Sequence, residues 1–217
     1  MSECVGIEVR SPTTPLTSLL VVGSGRTGTS YVAACAHYLG FPSVPGRDPR
    51  GNFEDPVLGE AIAERGGLPT ARVRRLVSYR AKRSEVWTFK YPPVSESTLA
   101  LRHLFPRPGI ILVTRDPMQA AETASRVEGL DFGERSIDTA EHQSRVIKLA
   151  FAVGDTPLLW LPFERSRADP VGTVGAIATF ASRMPSKRKV EAIVQKVREA
   201  HGRYWGGLVP SSTPSQD

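Results

Sequence analysis

A strand pattern, a glycine-rich turn and a helical pattern follow one another near the start of the chain, and that succession constrains the fold more than any other feature. Residues 16–22 (LTSLLVV) are apolar, and residues 29–39 carry Tyr31, Val32, Cys35 and Leu39 on one helical face. Between them stands Gly23-Ser24-Gly25-Arg26-Thr27-Gly28-Thr29-Ser30, with the G-x-x-x-x-G spacing of a phosphate-binding loop. Glycines let such a loop curl until successive N–H groups point into one concavity, and the helix N-terminus adds about half a positive charge there. An anion fits that nest. Arg26 lies inside the curl, where a cation would face the anion and stabilise charge on a leaving group.

Further strand patterns occur at residues 86–90 (VWTFK), 109–114 (GIILVT) and 157–163 (PLLWLPF). Helical patterns are expected at about 94–104, 117–127, 139–153, 169–181 and 186–201, and residues 71–83 read as an Arg-rich helix or loop. The run at 109–114 does not alternate, which fits a parallel strand buried on both faces. Strands alternating with helices predict an α/β chain, a three-layer α/β/α domain around a central parallel sheet. Ligands in such sheets bind at the carboxyl ends of the strands, so the tips at 23–29, Lys90 and Arg115 are expected side by side.

The 217 residues suit one domain, expected at 17–208, with a flexible leader at 1–16 and a disordered tail at 209–217. Residues 41–56 hold four prolines and two glycines, which predicts a long loop over the site. No apolar run approaches the roughly 18 residues that span a bilayer, so no transmembrane segment is expected. The first residues lack a signal pattern and Cys4 and Cys35 form no motif, which points to a cytoplasmic protein.

A net charge of +6 favours an anionic partner: nucleic acid, a membrane surface or a phosphorylated small molecule. Arginine outnumbers lysine 22 to 6, and its fork suits phosphate or sulfate. The cluster Arg72, Arg74, Arg75, Arg80, Lys82 and Arg83 has no interleaved aromatic residues, so a solvated face is expected there and nucleic acid is not. Trp87, Tyr91, Phe132 and Trp160 are candidates to wall an acceptor pocket, although core packing explains aromatic residues on strands equally well.

The loop lacks one residue that matters. A nucleotide-hydrolysing loop has lysine after its second glycine, and here that position is Thr29. No later strand ends in an isolated aspartate suited to a metal, since Asp116 sits behind Arg115. The loop therefore holds phosphate in another way.

Arg26-Thr27-Gly28-Thr29-Ser30-Tyr31 matches every place of the pattern K/R-S/T-G-T-S/T-W/Y, and in this the chain resembles the sulfotransferase superfamily. Members move a sulfuryl group from 3′-phosphoadenosine 5′-phosphosulfate (PAPS) to an acceptor hydroxyl or amine, on a P-loop-like fold. The superfamily's second mark is Arg, Asn/Asp-Pro and a Ser eight residues after the Arg, following a buried strand. Arg115-Asp116-Pro117 resembles it, with Thr123 where Ser is usual. Lys90 in Phe-Lys-Tyr-Pro resembles a third, weaker mark.

The resemblance implies that Gly25, Arg26, Thr27, Gly28, Thr29 and Ser30 hold the 5′-phosphosulfate, and that Arg115 and Thr123 hold the 3′-phosphate. Lys90 would stand at the transferring group. The product would be adenosine 3′,5′-bisphosphate, the acceptor a small molecule or glycan, and no metal would be required. A general base is also needed. The His of the family's Lys-x-His-x-Pro version is missing from Lys90-Tyr91-Pro92-Pro93, so Glu54 is the first candidate and Asp55 the second, with His37 and His142 behind them. Lys187, Arg188, Lys189 and Arg203 are candidates for a basic cover over the 3′-phosphate. Two other readings stay open: a P-loop nucleotide or small-molecule kinase with a degenerate loop, and a non-catalytic phosphate-binding module.

Overall fold

The computed structural model describes residues 5–43, 52–129 and 131–205. Its centre is a five-stranded sheet built from β1 (Ile7–Arg10), β2 (Ser18–Val22), β3 (Trp87–Lys90), β4 (Pro108–Thr114) and β5 (Leu158–Pro162). The strand order is β1-β5-β4-β2-β3. Four strands run parallel, and β1 pairs antiparallel with β5.

All five residues of β2 are buried, because helices cover both faces of the sheet. Leu19 and Val21 of β2, with Ile111 and Val113 of β4, turn toward α1 (Thr29–Tyr38), α8 (Pro170–Phe180) and α9 (Lys187–Trp205). On the opposite face, Leu20 and Phe89 pack on α2 (Pro56–Ala63) and α3 (Ala71–Arg83). Val22, Ile110 and Leu112 meet α4 (Ser95–Ala100) and α6 (Phe132–Ala152) there. Strands buried on both faces read as continuous apolar runs, which is why 109–114 shows no alternation. No described helix is long and apolar enough to cross a membrane.

Several elements differ from the sequence expectation. The flexible leader expected at 1–16 contains β1, an edge strand whose Ile7 and Glu8 are exposed. Backbone pairing and Arg10 hold it in place: Arg10 Nε donates to Thr156 O at 2.7 Å and Nη2 to Ala150 O at 2.9 Å. The helix expected at 94–104 is broken into a 3₁₀ turn at Pro92–Val94, α4, and a second 3₁₀ turn at Arg102–Leu104. Asp131 accepts from Glu134 N at 3.0 Å and starts α6 seven residues earlier than its apolar pattern suggested. After β5 the chain forms α7 (Phe163–Ala168), and Pro170 then opens α8 with Asp169 as its cap. The expected tail at 209–217 lies outside the described residues.

Candidate functional site

Sheet order places the glycine turn between two other strand tips. β2 lies between β4 and β3, so the turn after β2 has Lys90 on one side and Arg115 on the other. At a strand spacing near 4.8 Å the two outer tips stand about 10 Å apart. A cleft of about 370 Å³ opens over all three. Gly25, Arg26, Gly28, Thr29, Ser30, Glu54, Lys90, Arg115 and Thr123 all line it, whereas Thr27 is buried beneath.

The shape of the turn follows from its residues. A Cβ on Gly23 would stand 2.6 Å from Val113 O, so glycine lets the turn start against β4. Arg26 has φ 64° and Gly28 φ 90°, two left-handed residues within three, which is the conformation that curls backbone amides into a nest. The hydroxyl of Thr27 donates to Ser24 O at 2.7 Å, and Ser95 at the start of α4 donates to Gly23 O at 2.8 Å. Gly28 supplies α1 with no side-chain cap, so the first turn of that helix is left for an external acceptor. A Cβ on Gly28 would fall 2.1 Å from the ring of Phe163.

Lys90 ends β3 with only 2% of its surface exposed. Its ammonium donates to Ser30 Oγ at 2.9 Å, Asn52 O at 3.1 Å and Glu54 Oε1 at 2.7 Å. A buried ammonium needs such partners, since desolvation without them is costly. The lysine thereby joins the turn after β2 to the segment that carries Glu54. Neighbouring Asp55 points away from the cleft, into the body of the domain. It accepts from Leu58 N at 3.1 Å as the cap of α2 and forms a two-pronged ion pair with Arg80 at 2.8 and 3.1 Å. Buried in that pair, Asp55 is withdrawn as a base candidate, and Arg80 leaves the solvated basic face expected of α3.

Arg115 follows β4. Gln143 of α6 clamps its backbone, accepting from Arg115 N at 3.0 Å and donating to Arg115 O at 2.8 Å. The guanidinium Nη1 donates to Arg26 O at 3.0 Å and to Thr123 Oγ1 at 3.1 Å, along the first two turns of α5 (Pro117–Glu128). It also sits 5.2 Å from the centre of the Phe163 ring. Among the described residues its Nε is buried without a partner, and so is Nε of Arg167, which lines the same cleft. Burial lowers the pKa of Arg115, and Arg167 lowers it further against the opposing pull of Glu164. Two half-buried cations with unsatisfied donors side by side are what an anion would relieve.

Other candidates fall elsewhere. His37 Nδ1 accepts from Ser43 N at 3.2 Å, and its ring packs on Tyr38 and Phe53 away from the cleft. Trp87 is fully buried and stacks on Phe105, Trp160 donates to Thr114 Oγ1 at 2.8 Å, and Phe132 is exposed, so of the four aromatic candidates only Tyr91 lines the cleft. Lys187, Arg188 and Lys189 are exposed at the start of α9, outside the cleft lining. The sequence reading missed Phe163 and Arg167. Phe163 stands at the tip of β5, so the strand-tip rule that found Lys90 and Arg115 would also have found it.

No family model and no curated protein matches the sequence. Solved structures do match in fold. The sulfotransferase domain of the olefin synthase from Synechococcus PCC 7002 superposes with a TM-score of 0.57 at 15% identity, covering 83% of this chain and 78% of that one. A sulfotransferase from Mycobacterium avium gives 0.51 at 16% identity, with 87% and 69% covered. Another from Mycobacterium tuberculosis H37Rv gives 0.50 at 16%, with 86% and 76% covered. What these proteins share with this chain is the fold.

Proposed function

We propose that this chain, which has the fold of sulfotransferases, transfers a sulfuryl group from PAPS to a hydroxyl or amine of a small-molecule or glycan acceptor. The observation that carries this reading is the distribution of cations along one cleft. Lys90 stands at one end, Arg115 with Arg167 at the other, and a glycine turn with an uncapped helix lies between them. A nucleotide with anionic groups at both its 5′ and 3′ ends fits that arrangement, and a nucleoside triphosphate uses only one side of it.

In this reading the backbone of Gly25 to Ser30 and the Thr29 and Ser30 hydroxyls hold the 5′-phosphosulfate. Arg115 and Thr123 hold the 3′-phosphate, and the orphaned Nε donors of Arg115 and Arg167 find an acceptor there. The acceptor oxygen forms its bond to sulfur as the bond from sulfur to the 5′-phosphate oxygen breaks in line. Arg26 and Lys90 stabilise the charge that builds on the transferring and leaving oxygens. Glu54 takes the acceptor's proton, and adenosine 3′,5′-bisphosphate leaves. No step requires a metal.

Calorimetric titration with adenosine 3′,5′-bisphosphate and with ATP, with and without Mg²⁺, tests the reading. The bisphosphate is expected to bind more tightly, independently of Mg²⁺. Tighter, Mg²⁺-dependent ATP binding would overturn this reading in favour of a kinase.

A further inference from the structure

An ammonium carries three N–H donors. Those of Lys90 are matched by Ser30 Oγ at 2.9 Å, Asn52 O at 3.1 Å and Glu54 Oε1 at 2.7 Å. A sulfuryl oxygen seated on Lys90 therefore has to displace one of these acceptors. The three are not equal. Ser30 is neutral, and its hydroxyl accepts from Lys90 while keeping its own proton for a ligand in the same cleft. Asn52 contributes a backbone carbonyl, which carries no net charge. Glu54 contributes a carboxylate through the shortest of the three contacts, and a second anion on Lys90 repels it. The Glu54 side chain is 27% exposed against 2% for Lys90, so the carboxylate has room to turn towards solvent where the lysine has none.

The backbone that carries Glu54 is also under strain. Phe53 has φ 57°, a left-handed conformation that a bulky residue adopts only where its surroundings hold it there. Its ring packs on His37 and Tyr38, with centroids 5.2 and 6.2 Å away, and Lys90 grips the chain on either side of it, at Asn52 O and Glu54 Oε1. Loss of the Glu54 contact removes one of these fixings. His142, the remaining base candidate, lies in a neighbouring cleft with Nδ1 3.3 Å from Ser24 Oγ, so it takes no part at Lys90.

We propose that Glu54 and the sulfuryl group compete for Lys90, so that binding of the sulfated donor, and not of adenosine 3′,5′-bisphosphate, expels the carboxylate from the ion pair and releases it to act as the base. The inference rests on the donor assignment made above. The bisphosphate ends in a 5′-phosphate on the glycine turn and leaves the pair intact, whereas the additional sulfuryl group of PAPS breaks it. Glu54 is then a base only while there is a group to transfer.

Equilibrium competition against labelled bisphosphate, without acceptor, reads the affinities of PAPS and of bisphosphate on the same protein. Glu54→Gln and Glu54→Ala are each expected to tighten PAPS about tenfold and to change bisphosphate less than about twofold, because the ion pair opposes only the sulfated ligand. Lys90→Met supplies the second arm. In that background Glu54→Gln is expected to change the ratio of the two affinities less than about twofold. The proposal is overturned if both Glu54 variants weaken PAPS or leave the ratio unchanged, as a purely structural role for Glu54 requires, or if the gain persists without Lys90. A wild-type chain that binds neither PAPS nor bisphosphate would overturn the donor reading instead.

Discussion

Replacing Arg115 with alanine separates the two ends of the proposed donor. The guanidinium makes one hydrogen bond with the turn, to Arg26 O, and one with α5, to Thr123 Oγ1, while its Nε has no partner among the described residues. Binding of a 3′-phosphate by this group is a charge-assisted interaction of about 1.5–3 kcal/mol, which corresponds to roughly ten- to 150-fold in Kd. Loss of the bond to Arg26 O also loosens the turn, by about 1 kcal/mol, and that term weakens every ligand of the turn alike. Measuring adenosine 3′,5′-bisphosphate and 5′-AMP by calorimetry on both proteins isolates the first term. The bisphosphate should lose about ten- to 150-fold more affinity than 5′-AMP does. The empty protein should not lose stability in proportion. Burial disfavours the charge on Arg115, against the pull of Glu164 and with a smaller push from Arg167, so its removal relieves a desolvation cost that the ligand otherwise offsets. Equal losses for the two ligands, or no loss for either, would refute the assignment of Arg115 to the 3′ end.

Four other outcomes follow from contacts in the structure. Glu54→Gln should lower kcat about 10²- to 10⁴-fold with bisphosphate affinity nearly unchanged, and full turnover in that variant would remove Glu54 as the base. Gly28→Ala should weaken bisphosphate binding at least about tenfold, because at φ 90° the added Cβ is strained and displaces the Phe163 ring; far-ultraviolet circular dichroism should stay native. Asp55→Asn leaves Arg80 charged and buried, and should lower stability by about 3–5 kcal/mol in urea titrations, a loss that Arg80→Met in the same chain should partly restore. Burial lowers the pKa of His37 and of His142 below the ordinary 6.5. The unfolded chain then binds more protons than the folded one as pH falls, so stability present above pH 6.5 is lost as pH falls below it. In His37→Gln the dependence between pH 7.5 and 5.5 should flatten; an unchanged slope would exclude His37 as a contributor.

What the sequence disclosed depended on whether a residue's role is local. The turn at 23–30 was legible because its spacing of glycines is itself the cause of its shape, and the parallel strands because burial on both faces leaves apolar runs. Contacts across long separations were not. Arg10 is fixed by carbonyls about 140 residues away, and nothing in residues 7–10 signals that β5 will lie beside them. Arg167 meets Arg115 only because β5 is placed next to β4, an outcome of sheet order. Glu54 and Asp55 mark the boundary between the two cases. Adjacent in the chain, both acidic and both in a proline-rich segment, they end in opposite roles: one reaches the cleft, and the other is buried against Arg80. Yet one local rule separates them. Pro56 opens α2 at the position where proline is favoured, which makes Asp55 the cap residue whose side chain must turn back to Leu58 N. A capping carboxylate committed to a helix end is not free to take a substrate proton, so Asp55-Pro56 alone was enough to set Asp55 aside.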